Sequence, residues 1–159
     1  MNSTPLVSIA LVVRNEELRL KPCLEHLLTQ DLFKDLPSER IEFLIVDNKS
    51  ADQTVGVAME ILRNAKMAFQ VLFSEENNMG LARAIAARHA RGEFLAFVDA
   101  DCWAPENWLR RLLREFELAE EHQWPLAAVA SGNVPCREHG WGQVLYSLTK
   151  TFLGHFDSN

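Results

Sequence analysis

Residues 94–101 read FLAFVDAD, an unbroken apolar run that ends on two carboxylates one residue apart. Short runs of this kind suit strands buried on both faces of a parallel sheet, because helices cover the sheet on each side. The same pattern recurs at Leu6–Val13, at residues 41–47 (IEFLIVD), at Phe69–Phe73 and at Leu126–Ala130. Between these runs the apolar spacing becomes helical. Leu18, Cys23, Leu24, Leu27 and Leu28 share a face, and Val55, Met59 and Leu62 share another after Asp52, which reads as an N-cap. Trp108, Leu109, Leu112, Leu113 and Phe116 make the clearest stripe, with Pro105 suited to its first turn. All three stripes read as core. Strand and helix in alternation predict an α/β fold, a mainly parallel Rossmann-like sheet with helices on both faces and right-handed crossovers. From Ser131 the stretch SGNVPCREHGWG reads as loop, and Trp141–Leu153 as a last helix.

The composition agrees with one globular unit. The chain has 159 residues, 48% hydrophobic and 24% charged, with a formal net charge of −6. That excludes a collagen-like or wholly disordered chain and argues against a broadly basic nucleic-acid binder. Cys23, Cys102 and Cys136 lie far apart with no CxxC pair, so neither a disulfide framework nor a structural zinc site is expected, and a reducing compartment is. The first apolar run lacks a basic stretch before it and a small-residue cleavage site after it, which argues against a signal peptide. No run approaches the ~18 apolar residues of a membrane span. These readings predict a soluble, cytoplasmic protein.

In an open α/β sheet, ligands bind beyond the carboxyl ends of the strands. Here those ends are polar or acidic: Arg14-Asn15-Glu16-Glu17, Asp47-Asn48-Lys49-Ser50-Ala51-Asp52, Glu75-Glu76-Asn77-Asn78-Met79-Gly80 and Asp99-Ala100-Asp101. Asp99 and Asp101 could share a hard cation such as Mg²⁺ or Mn²⁺, which would bridge phosphate oxygens, or they could simply form a turn and cap a helix. Asp47 could accept from a ribose hydroxyl or base N–H, or only stabilise its own turn. Asn48, Ser50 and Asp52 read as turn and cap residues. The chain has no GxGxxG and no GxxxxGK[ST], so a glycine cradle for phosphate is disfavoured. A phospho-acceptor receiver domain fits poorly, since it needs acids at the ends of strands 1 and 3 and a later lysine.

Taken in order, VSIALVVRNEE, IEFLIVDNKSADQT, NMGLARA and RGEFLAFVDAD resemble the nucleotide-sugar-binding half of family 2 glycosyltransferases with a GT-A fold. The resemblance covers roughly residues 5–135. It implies that Val12, Arg14 and Glu16 line a base and ribose pocket and that Asp47 binds the base edge. It places Asn78, Gly80 and Arg83 near the nucleotide-sugar, with Asp99 toward ribose or sugar. Asp101, with Asp99, would hold Mn²⁺ or Mg²⁺ on the diphosphate. Donors implied are UDP-, GDP- or dTDP-sugars, with transfer that inverts the anomeric centre. Val12 stands where the family often has proline and Arg14 where tyrosine often stacks on the base; a guanidinium plane can also stack. The segment between Gly80 and Gly92 is shorter than in many members and lacks Arg-Asn-x-Gly.

The resemblance divides the single domain into a donor-binding core (5–135) and the start of an acceptor-side region (136–159), so the chain is expected to hold the donor half of an enzyme truncated at its C-terminus. The family's base lies in a later segment. Here Glu106, Glu115, Glu117, Glu120 and Glu121 read as solvated helix positions, Glu138 and Asp157 lack context, and His139 and His155 are lone histidines. No catalytic base is assigned. The acceptor is unread; a lipid-linked or polysaccharide acceptor, met peripherally at a membrane, suits such a chain. Two rivals are a non-catalytic nucleotide-sugar-binding or scaffold module and a sugar nucleotidyltransferase. The latter would want a glycine-rich basic loop near the N-terminus, which is missing.

Overall fold

A computed structural model of the chain describes residues 4–131 and 146–150. Six strands, β1 (Val7–Val13), β2 (Ile41–Asp47), β3 (Ala68–Phe73), β4 (Phe94–Asp99), β5 (Ala128–Ser131) and β6 (Tyr146–Lys150), form one sheet in the order β3-β2-β1-β4-β6-β5. The first four are mutually parallel, and β6 runs antiparallel between β4 and β5. Four helices join them: α1 (Glu17–Leu28), α2 (Thr54–Asn64), α3 (Met79–His89) and α4 (Trp108–Glu121). β1 and β2 are buried along their whole length, as their nearly continuous apolar runs require, whereas edge strand β3 is half-covered. The helix expected over Trp141–Leu153 is overturned at Tyr146–Lys150. That five-residue segment alternates in period two and supplies the hydrogen-bond partner that the open side of β4 needs. Cys136, Glu138, His139, His155 and Asp157 lie outside the described residues.

Side-chain alternation divides the sheet between two cores. Val7, Ile9, Leu11 and Val13 of β1, with Phe43 and Ile45 of β2, face α1, α2 and α4; Ala10, Val12, Leu44, Val46 and Leu95 face Ala82 and Ala86 of α3. The α4 stripe is buried as expected, and each of its large side chains contributes about 1.5–3 kcal/mol. Two other stripes rotate. On α1 the buried set is Leu20, Cys23, Leu24 and Leu27, while Leu18 is 85% exposed, two residues and so about half a turn away from Leu20. On α2 it is Thr54, Ala58 and Leu62, with Val55 and Met59 at the margin. The N-cap of α2 is Gln53, not Asp52; the Asp52 carboxylate instead accepts from the Thr54 N–H at 3.0 Å. Pro105 precedes α4, and its carbonyl accepts from the Trp108 N–H at 2.9 Å.

At the amino end of the strands, Glu42 is 1% exposed yet fully paired. Its carboxylate accepts from Ser8 Oγ at 2.6 Å, the Arg91 N–H at 2.8 Å, and Arg91 Nε and Nη2 at 2.8 and 2.5 Å. Gly92 completes this junction, its N–H donating to Ser8 Oγ at 2.8 Å. The junction holds β4 in register with β1, and register carries Asp99 to a position opposite Val12 at the far end.

Candidate functional site

The carboxyl ends of β1, β2 and β4 lie side by side: Val12 pairs in register with both Val46 and Asp99, and Val13 with Asp47. After β1 and β2 the chain turns without glycine. Asn15 and Lys49 take left-handed backbone (φ 54° and 62°), which asparagine tolerates and lysine adopts at a cost of about 1–2 kcal/mol. The two turns are laced together. The Asn15 N–H donates to Ser50 Oγ at 3.0 Å, and Asn15 Oδ1 accepts from the Ala51 N–H at 2.7 Å. The Glu16 N–H donates to Thr54 Oγ1 at 2.8 Å and the Glu17 N–H to Asp52 Oδ2 at 3.3 Å, while Glu17 Oε2 accepts from the Gln53 N–H at 2.9 Å. The Thr54 hydroxyl also donates to Asp52, and this bond is the main reason the Asp52 carboxyl lies below its ordinary range.

Asp47 ends β2 at 7% exposure, its carboxylate accepting from the Ser50 N–H at 3.2 and 3.3 Å. The turn role foreseen for it is therefore filled. Asn48, fully buried, is the hub between three segments. Its N–H donates to the Val13 carbonyl at 2.8 Å, its Oδ1 accepts from the Asn78 N–H at 3.2 Å, and its Nδ2 donates to Asn77 Oδ1 at 3.4 Å. Asn78 caps α3, its Oδ1 accepting from the Leu81 N–H at 3.1 Å; a Cβ on Gly80 would crowd that oxygen at 3.2 Å. Val12 is packed in the smaller core, and Arg14 is exposed at the rim.

The acids and Arg83 gather where β4 ends. Arg83 Nη2 lies 3.4 Å from Asp99 Oδ1. Burial pushes the Asp99 carboxyl up, opposed by Arg83 and reinforced by Asp101. Burial also raises Glu16, whose partner Arg19 at 3.3 Å pulls it down while Asp101 and Asp52 push it up. Glu16 and Asp99 therefore both feel Asp101. The Asp101 Oδ1 accepts from the Cys102 thiol at 3.6 Å, and the buried Cys23 thiol, itself raised by desolvation, donates to the Asp99 carbonyl at 3.6 Å. Among the described residues no group of three or more His, Cys, Asp or Glu side chains is arranged to hold a metal by itself. Asp99 and Asp101 offer hard oxygen donors with room for non-protein ligands, which fits Mg²⁺ or Mn²⁺ shared with a diphosphate and does not fit an all-protein cage.

Two apolar side chains escaped the sequence reading. Phe73, paired in register with Asp47, is 64% exposed, and Met79 at the start of α3 is 41% exposed. A terminal phenylalanine in an apolar run looks like core until the strand is known to lie at the sheet edge.

The family model described as glycosyl transferase family 2 matches residues 8–143, and the chain belongs to that family. Among curated relatives, EpsH of Bacillus subtilis is 36% identical over 113 residues, 70% of this chain and 30% of the relative. Glycosyltransferase AglE of Haloferax volcanii is 31% identical over 112 residues, again 70% of this chain and 36% of the relative. The chain thus spans about a third of the length of these two relatives. The crystal structure of Staphylococcus aureus TarS 1–349 in complex with UDP superposes with a TM-score of 0.66 at 27% identity, over 86% of this chain and 38% of that one. The α/β GT-A architecture is therefore established. No described helix is long and apolar enough to cross a membrane.

Proposed function

We propose that this chain is the donor-binding part of a metal-dependent, inverting glycosyltransferase that takes a nucleotide-diphosphate sugar at the carboxyl edge of β1, β2 and β4. The observation that carries the reading is the Arg83–Asp99 pair beside Asp101: one cation and two carboxylates at a strand end, and a structural neighbour, TarS, has been crystallised with UDP and with UDP-GlcNAc. In this reading Val12, Arg14 and Glu16 wall the base and ribose, Arg14 by its guanidinium plane, and Asp47 receives the base edge. Asn78, Gly80 and Arg83 stand toward the sugar diphosphate. Asp99 faces ribose or sugar, and Asp101, with Asp99, holds Mn²⁺ or Mg²⁺. The bound cation would neutralise charge that develops on the leaving diphosphate. Arg83 adds a positive charge beside Asp99, and the laced turns hold the ends of β1 and β2 that carry Glu16 and Asp47. UDP, GDP and dTDP sugars are the donor class. Residues 5–135 serve as the donor core, with 136–159 beginning an acceptor side that meets a lipid-linked or polysaccharide acceptor at the cytoplasmic membrane surface.

Isothermal titration with UDP and GDP, with and without Mn²⁺, tests this. Binding that depends on the cation, and that Asp101→Asn abolishes, is the expected result. A folded chain that shows no cation-dependent binding of any nucleoside diphosphate, dTDP included, would sink the idea.

A further inference from the structure

Cys23 and Cys102 have no role in the proposed reaction, yet both are buried against the acidic turn after β4. The turn is closed by the Cys102 N–H, which donates to the Asp99 carbonyl at 3.0 Å. The same carbonyl receives the Cys23 thiol from α1 at 3.6 Å. One residue on, the Cys102 thiol donates to Asp101 Oδ1, also at 3.6 Å. Cys23 is 0% and Cys102 1% exposed, so water does not compete for either thiol. Two donors, one from α1 and one from the residue after Asp101, thus engage the backbone of the turn and one oxygen of its second carboxylate.

We infer that Cys23 and Cys102 are positioning residues that preset the Asp99-Ala100-Asp101 turn for a divalent cation; this rests on the donor-binding reading above. A carboxylate already engaged through Oδ1 loses less rotational freedom when a cation arrives than a free one does, and an anchored carbonyl keeps Asp99 and Asp101 at fixed separation. A thiol is a weak donor, and buried cysteines commonly serve as small apolar fillers. The two roles make opposite demands on a replacement. A filler is replaced best by valine and worst by serine, whereas a donor is replaced by serine and lost in valine.

The test measures the Mn²⁺ concentration that half-restores binding of UDP or GDP, whichever the wild type takes, and compares Cys102→Ser, Cys102→Val, Cys23→Ser and Cys23→Val. The serine variants are expected within about twofold of wild type, and the valine variants roughly fivefold weaker for Mn²⁺, the scale of one lost weak hydrogen bond. Valine variants that bind Mn²⁺ like wild type, or serine and valine equally impaired, overturn the inference. Should a valine variant fail to fold by circular dichroism, the alanine variant is read by the same rule. A wild type that binds no Mn²⁺ beside nucleotide overturns the donor reading itself, and this inference with it.

Discussion

Arg83 of α3 and Asp99, the last residue of β4, meet at 3.4 Å on the sheet face that α3 covers. Their side chains are 44% and 37% exposed, so solvent screens the pair and its own contribution to stability is small. Its value lies in placement, since an anion bound at this edge finds a cation already there. Arg83→Ala should weaken nucleotide-sugar binding by about tenfold, the scale of one lost charge-assisted bond, while moving folding stability by less than about 1 kcal/mol. Calorimetry and urea unfolding on the same variant check both halves, and unchanged affinity would remove Arg83 from the site.

Glu16 offers a pH test with a definite sign. Burial raises its folded-state pKa above the ordinary glutamate value. A carboxyl raised in this way favours the folded state fully below its unfolded pKa and loses that contribution as pH rises through the folded value. Glu16→Gln cannot ionise. Its Tm relative to wild type should be near zero change at pH below the ordinary glutamate range and should rise toward neutral pH. A difference that shrinks as pH rises contradicts the direction.

Glu42 lies five residues before Asp47 on β2, about 16 Å along the strand. Glu42→Ala leaves Ser8 Oγ and the Arg91 N–H without their shared acceptor, and should cost about 2–4 kcal/mol in urea unfolding. Because the junction sits at the other end of the sheet, the surviving folded fraction should keep the wild-type nucleotide affinity. A lowered affinity per folded molecule would show that the two ends are coupled.

A Cβ on Gly92 would stand 2.5 Å from the backbone nitrogen of Ser8 and 2.8 Å from its Oγ. Backbone cannot yield as a flexible side chain does, so β4 would have to shift against β1. Gly92→Ala is expected to destabilise by more than about 2 kcal/mol, against about 0.5–1 kcal/mol of gain had the site been roomy. Thermal unfolding decides between them.

Much of the architecture was legible because strands covered on both faces are mostly apolar and admit a polar residue only where it is paired, as Ser8 and Glu42 are. β2 and β4 begin and end where their apolar runs do, and β1 within one residue. The α4 stripe was legible for the same reason: five large apolar residues can share only one face. Leu20 stands three and four residues before Cys23 and Leu24 whereas Leu18 stands five and six, so helical spacing already favours Leu20, and it is Leu20 that packs against the sheet. Tyr146–Lys150 alternates in period two, but five residues are too few to decide against a helix by pattern alone, and pairing with β4 and β5 on either side makes it a strand.

The site shows the same division. Its acids announced themselves by standing at strand ends. The partners did not: spacing along α3 cannot say that Arg83 reaches Asp99, and nothing links Cys23 to the Asp99 carbonyl until α1 is laid against β4. Asn78 was placed near a ligand and is also a helix cap, so one side chain carries a structural duty that motif comparison does not separate from recognition.

The junction between Ser8 and Gly92 joins residues 84 apart in sequence. Since β1 lies between β2 and β4, its two hydrogen-bonding edges are filled by segments that reach it at different times during synthesis. Closing so long a loop is slow relative to local helix formation, because its entropy is lost before its contacts are gained. Nucleotide competence should therefore be the last property acquired in refolding. Helical signal should recover first, and ligand binding should follow at the rate at which β4 docks.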